Sequence, residues 1–372
     1  MSEIIESDVI IIGGGPGGSS CAWRLKEKYG IESIVLEKSD MPRLKLCAGW
    51  ITEDVKQQLE IDPETYPHRF VTFNKIHGEY FGSGKSRKME IDTTQYSISR
   101  TEFDAWLLNR SGARVIKHTV ANIKPDGEGF LIDDKYRCKY LIGAGGTFCP
   151  VFRILFKDRN PRSKEFQIGA LEQEFEYDYK DEECRLWFGE NGLVGYSWYV
   201  PKGDGVINVG IGGWSEYISE GEVSLRDHWD LFTHKLAAEG LVTNFKYKPK
   251  GHTYYLRERA KVVRIDNAFI IGDSAGLATR DLAEGIGPAM ESGLRAADTI
   301  ATGKEYNLKG MTKYSMFHRG LMTEFMYNIF DRKGRFYSDR IYARGRRAKE
   351  KRALELKEKL AAEKSGAKAG VA

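Results

Sequence analysis

The stretch DVIIIGGGPGGSS, residues 8–20, runs from an apolar segment through a glycine turn into a periodic stretch, and SIVLEK follows at 33–38. The order reads as strand, turn, helix, strand. Gly13, Gly15 and Gly18 stand at the G-x-G-x-x-G spacing, where a side chain would block the tight turn, the approach of a pyrophosphate, or the packing of helix on strand. Pro16 and Gly17 complete the turn and begin the helix, whose free N–H groups and positive end favour phosphate oxygens. Glu37 closes the second strand 19 residues after Gly18, where a carboxylate accepts from both hydroxyls of an adenosine ribose and disfavours a 2′-phosphate. Lys38 follows it directly. A dinucleotide-binding α/β unit is the expectation.

At 372 residues the chain exceeds what one compact core usually holds, which favours two domains of unequal kind. No run approaches the roughly 18 apolar residues of a membrane span, and no charged leader precedes a cleavable apolar stretch, so a cytoplasmic location is expected. Cys21, Cys47, Cys138, Cys149 and Cys184 are odd in number, widely spaced and without a C-x-x-C pair. That pattern argues against a disulfide framework and against a zinc site, and the seven histidines add no metal-binding pair. Net charge is +4, of which the segment 344–372 carries +6 from ten Lys and Arg against four Glu. This basic tail reads as a solvated end or as an attachment to an anionic membrane face; without interleaved aromatics it does not read as a nucleic-acid site.

Between these ends the character of the chain changes twice. Residues 75–98 alternate like strands, a helix is expected at Thr101–Leu108 with Thr101 as a candidate cap, and KYLIGAGG at 139–146 returns an apolar strand to the first sheet. LWFGENGLVGYSWYVPKGDGVINVGIGG, residues 186–213, alternates between turn signals as antiparallel strands with one buried face do. NAFIIGDSAGLA at 267–278 then gives strand and loop before GIGPAMESG, whose small residues at helical spacing suggest a helix packed close to something. The boundaries expected are 1–75 with 98–160 and 260–305 for the dinucleotide domain, 76–97 with 161–259 for the second domain, 306–343 for a helical region and 344–372 for the tail.

These blocks resemble the flavoproteins related to para-hydroxybenzoate hydroxylase, and among them the geranylgeranyl reductase-like group. RLKLCAGW (43–50) is similar to that group's Lys-x-Cys-Gly-Gly loop, SRTEFDAWL (99–107) to its Arg-x-x-Phe-Asp-x-Trp-Leu, and GYSWYVPKG (195–203) to its Tyr-x-Trp-x-Phe-Pro-Lys strand. IIGDSAG (270–276), followed by EGIGPAMESG, resembles the Gly-Asp segment of the wider superfamily. The resemblance spans roughly residues 5–300. It implies a Rossmann-like FAD-binding domain interleaved with an antiparallel-sheet substrate domain, and FAD as cofactor.

On this reading Gly272 and Asp273 meet the ribityl chain, while Gly285, Ile286 and Gly287 begin a helix facing the flavin ring. The resemblance also implies Arg100 at the cofactor's phosphates or ribityl chain, Val120 on a strand beside the adenine, and the Cys47, Ala48, Gly49 loop at the flavin. Cys47 is either a proton relay or a small packing residue. Trp187, Tyr196, Trp198, Val200 and Pro201 form either a substrate wall suited to an isoprenoid chain or an aromatic core.

The activity implied is reduction of carbon–carbon double bonds in an isoprenoid lipid or quinone tail, with a flavin monooxygenase and an FAD-bound electron relay or assembly factor as alternatives. The electron donor is open among NAD(P)H, a ferredoxin and a quinol. Two departures bear on this: GAGG has Gly145 where hydroxylases carry an aspartate, and Arg280, Asp281 and Glu284 make the loop before the late helix more polar than a purely isoprenoid site suggests.

Overall fold

The computed structural model describes residues 3–82, 85–220, 223–258 and 262–314. The basic tail at 344–372 and most of the helical region expected at 306–343 lie outside the described residues. One compact unit runs up to Phe70, resumes over Ile98–Phe166 and returns from Tyr254; the other holds Val71–Ser97 and Gln167–Thr253.

In the first unit the parallel strands Ala268–Ile270, Tyr136–Gly143, Ile5–Ile12, Ser33–Glu37 and Arg114–Lys117 lie side by side in that order. Alternate residues of one strand serve two cores. Ile10, Ile12, Leu36 and Leu141 point to one face, Val9, Ile11, Val35 and Ile142 to the other. Burial on both faces is why these strands are continuously apolar rather than alternating.

The helix Pro16–Tyr29 covers one face and packs against the helix Ile286–Thr302. The approach is set by glycine: a Cβ on Gly293 would stand 2.2 Å from the Gly17 carbonyl oxygen. The small residues of GIGPAMESG therefore do have a close neighbour, the glycine-rich start of the first helix. The helix expected at Thr101–Leu108 spans Arg100–Arg110, and its capping position is Ser99. Thr101 lies inside the helix and does not cap it.

In the second unit the strands run Lys250–Tyr255, Gln167–Glu176, Val206–Trp214, Gly195–Pro201, Cys184–Phe188, Phe70–Gly82, Lys85–Ile98 across the sheet. The sheet is not wholly antiparallel, because Cys184–Phe188 pairs parallel with Phe70–Gly82. The helix Leu225–Ala238, closed at its start by a reciprocal Ser224–Asp227 capping box, lays Trp229, Phe232 and Leu236 on one sheet face against Trp187, Tyr199, Val209 and Ile211.

Candidate cofactor site

Backbone hydrogen bonds tie the glycine turn to the strands on either side of it. Gly13 N–H donates to Leu36 O and Ala144 N–H to Ile12 O, both at 2.9 Å. Gly13 has φ +109°, and a Cβ on Gly18 would stand 2.0 Å from Gly13 O, so no side chain is accommodated there. Gly15 differs: an added Cβ would have one close neighbour, an Arg43 guanidinium nitrogen at 3.5 Å. Gly15 is the capping position of the first helix, with Pro16 behind it, and no side chain caps that end. Its N–H donors face a cradle backed by a cation.

Glu37 is buried and accepts from Gly14 N–H at 2.8 Å and Ser39 N–H at 3.0 Å, one on each carboxylate oxygen. Two such bonds leave about half of a carboxylate's acceptor capacity for ribose hydroxyls. Lys38, next in the chain, is exposed. Val120 is buried beside the first sheet, but in the connection after Arg114–Lys117 rather than on a strand.

Arg100 is buried and forms a two-pronged pair with Asp104, at 2.7 and 2.8 Å. Burial opposes its charge, yet Asp104 and the sulfur of Cys47 more than reverse this, so the pKa of Arg100 is raised. The Arg100–Asp104 pair is buried rather than on the surface. Arg43 reaches the same carboxylate at 3.4 Å and Glu37 at 3.9 Å. Sequence reasoning passed over Arg43; the available signal was a basic residue in the loop directly after the ribose-type acid.

The loop 43–49 brings Cys47, half exposed, against Arg100, and Cys47 Sγ accepts from Gly49 N–H at 3.3 Å. Gly49 has φ +65° and ties the loop to the start of the Arg100 helix through Ile98 N–H at 2.8 Å. Ala48 sits half-buried between Cys47 and Gly49.

The second half of the site is the loop Gly272–Ser274 and the helix after it. Gly272 has φ +55° and donates to Ser292 Oγ at 3.0 Å. Asp273 is half-buried, its Oδ1 3.4 Å from where a Gly285 Cβ would lie. Arg162, absent from the sequence-based candidates, donates to the carbonyls of Asp273 and Ser274 at 3.0 and 2.9 Å while its guanidinium lies 3.8 Å from the Phe152 ring centre. Gly285, Ile286 and Gly287 open the helix Ile286–Thr302, and Glu284 Oε1 accepts from Gly287 N–H at 2.7 Å.

In the second unit Tyr196, Trp198, Val200 and Pro201 lie on one strand, with Tyr196 half-buried and the other three buried. Trp198 spreads its indole over Gly210, where a Cβ would come within 2.1 Å of the ring, and donates from Nε1 to Asn208 at 2.7 Å. Trp187 does not share the face of Tyr196, Trp198 and Val200, and neither does Pro201, which is one residue out of phase and opposite Ile207 of the core. Trp187 pairs with Ser197 in the ladder and packs 5.6 Å from Phe232 under the helix, so it belongs to the aromatic core.

A dinucleotide fits the first half of this site: a cradle open at Gly15, an uncapped helix end, two arginines, and a carboxylate with acceptor capacity to spare. Comparison with known proteins agrees. A family model described as an NAD(P)-binding Rossmann-like domain matches residues 11–74. Digeranylgeranylglycerophospholipid reductase 2 of Methanosphaera stadtmanae is 25% identical over 341 residues, covering 84% of this chain and 82% of the relative. An uncharacterized protein of Methanosarcina barkeri is 30% identical over 329 residues, covering 81% and 76%. A crystal structure of a geranylgeranyl bacteriochlorophyll reductase-like protein from Thermoplasma acidophilum superposes with a TM-score of 0.68 at 23% identity, covering 95% of this chain and 89% of that one.

Proposed function

Since this chain belongs to the geranylgeranyl reductase-like group of FAD-dependent oxidoreductases, we propose that it reduces carbon–carbon double bonds in an isoprenoid lipid or quinone tail. The observation that carries the proposal is the run of contacts that starts at the uncapped helix end, where Arg43 lies by Gly15, and passes through Asp104 to Arg100 and the Cys47 loop. Reduced FAD supplies the hydride. The chain's own residues do the rest.

Gly15 and the N–H groups behind it receive the diphosphate, with Arg43 and Arg100 supplying positive charge. Glu37 takes the ribose hydroxyls, and Gly272 and Asp273 the ribityl chain. Asp104 holds both arginines in place by pairing with each. Cys47 carries the proton needed by the second carbon of the double bond, since its thiol is reachable from solvent while Arg100 and Gly49 N–H fix the sulfur. Tyr196, Trp198 and Val200, on one face of their strand, offer an apolar, largely dry surface suited to an isoprenoid chain. The donor is NAD(P)H, a ferredoxin or a quinol, to be separated by which of them bleaches the bound flavin under argon.

Replacing Cys47 by Ala is expected to slow product formation from a prenyl lipid by about 10²-fold or more while FAD remains bound. Single-turnover oxidation of the reduced protein by the lipid, followed at the flavin absorbance without oxygen, measures it. Unchanged turnover in Cys47→Ala removes the proton role from Cys47; absence of any prenyl-lipid reduction by wild type removes the substrate assignment.

A further inference from the structure

One side chain joins two turns at the carboxyl ends of neighbouring parallel strands. Tyr136–Gly143 and Ala268–Ile270 pair directly, and each runs on into a short turn, Gly146–Phe148 and Gly272–Ser274. In open α/β sheets ligands sit outside these strand ends. Arg162 belongs to neither turn, yet it reaches both. Its Nη1 donates to Thr147 O at 2.5 Å, and its Nη2 donates to Asp273 O at 3.0 Å and Ser274 O at 2.9 Å. Ser274 Oγ adds a second tie between the turns, donating to Gly146 O at 3.2 Å.

The guanidinium is itself held in place. It lies 3.8 Å from the ring centre of Phe152 and 5.2 Å from that of Tyr255. The chain is anchored on either side of it: the Asn160 side chain exchanges hydrogen bonds with the N–H and carbonyl of Val262, and Ser163 N–H donates to the Glu258 carboxylate at 3.3 Å. Burial lowers the pKa of Arg162, and the Asp273 carboxylate leads the groups that act the other way. A guanidinium stays charged regardless. The turn that carries Asp273 therefore has a fixed cation against its carbonyl oxygens.

We infer that Arg162 is a positioning residue for FAD, which sets the turn Gly272–Ser274 against the turn Gly146–Phe148 and so places Asp273 for the ribityl chain. Carbonyls contributed by two separate turns are met together by one rigid, planar fork of donors. An ammonium on a flexible stem does not reproduce that geometry. The acceptors are backbone oxygens, so the role belongs to Arg162 and not to the side chains of Thr147 or Ser274. This rests on the ribityl role given to Gly272 and Asp273 under Proposed function.

The test compares full-chain wild-type protein with Arg162→Lys and Arg162→Ala, titrating FAD into FAD-free protein and following the quenching of flavin fluorescence. Arg162→Lys keeps the charge, and its unfolding midpoint without FAD is expected to stay close to that of wild type. Its FAD affinity is expected to fall about tenfold, the size of a lost charge-assisted hydrogen bond. The visible circular dichroism of the flavin it does bind is expected to change, since the ribityl chain is held differently. Arg162→Ala loses the charge as well and is expected to bind FAD more weakly than Arg162→Lys; should it fail to fold, Arg162→Lys decides alone. Wild-type FAD affinity in Arg162→Lys, or a fall in its unfolding midpoint that is the same with and without FAD, overturns this inference and leaves the flavin assignment standing. Wild-type protein that takes up no FAD overturns both.

Discussion

Glycines crowd two places in this protein, for opposite reasons. In the turn of residues 13–18 and at Gly293 a backbone lies against a backbone: Gly18 against Gly13 O, Gly293 against Gly17 O. At Gly210, in the second unit, a backbone lies against a side chain, the indole of Trp198. Backbone atoms in a hydrogen-bonded strand and turn cannot step aside, whereas an indole can rotate at some cost in packing. The first kind of glycine is therefore bound to a fixed spacing and readable from it, and the second depends on a neighbour in another strand.

This difference orders the consequences of substitution. Gly18→Ala is expected to cost about 4 kcal/mol or more of unfolding free energy and to abolish FAD uptake, because turn and strand must both shift; thermal unfolding and flavin content measure it, and a normally yellow Gly18→Ala protein breaks the comparison. Asp104→Asn is next. It strips the carboxylate from buried Arg100 and from Arg43, and is expected to cost about 3 kcal/mol in FAD-free protein. With FAD added the loss should shrink, since phosphate oxygens then face the same arginines; an equal loss with and without FAD means that the pair is only structural.

Gly210→Ala sits at the low end, at about 1–3 kcal/mol of overpacking. It should change the near-ultraviolet circular dichroism as Trp198 is displaced, and leave FAD content intact. A cost comparable to that of Gly18→Ala would mean that the indole is as immovable as a backbone, and the distinction drawn here would not hold.

The same contrast explains which site residues were legible. Glu37 was read correctly as the acid closing the second strand because its distance from the glycines is fixed by one helix and two strands, all local. Arg43 was missed because nothing in its immediate sequence says that a loop residue will turn back on Gly15 and Asp104. Trp187 was grouped with Trp198 on their shared aromatic character, yet the ladder pairs it with Ser197, and a shift of one residue in register exchanges the two faces. Val120 shows the limit of the resemblance: it was placed on a strand, but the strand ends before it. Asp281 and Glu284 stood out in the sequence as charge in an apolar context; that one oxygen of Glu284 is left dry and without a partner among the described residues follows only from the tertiary fold.

The order of residues alone settled the glycine turn, the helix after it and the acid that ends the second strand, because these depend on sterics and hydrogen bonds between residues close along the chain. Folding in three dimensions decided which loop arginine joins Arg100 on Asp104, which tryptophan enters the core, and which acid loses its water. Those outcomes depend on register and on desolvation by segments far away in sequence, and no local pattern of residues encodes how much water a distant segment will exclude.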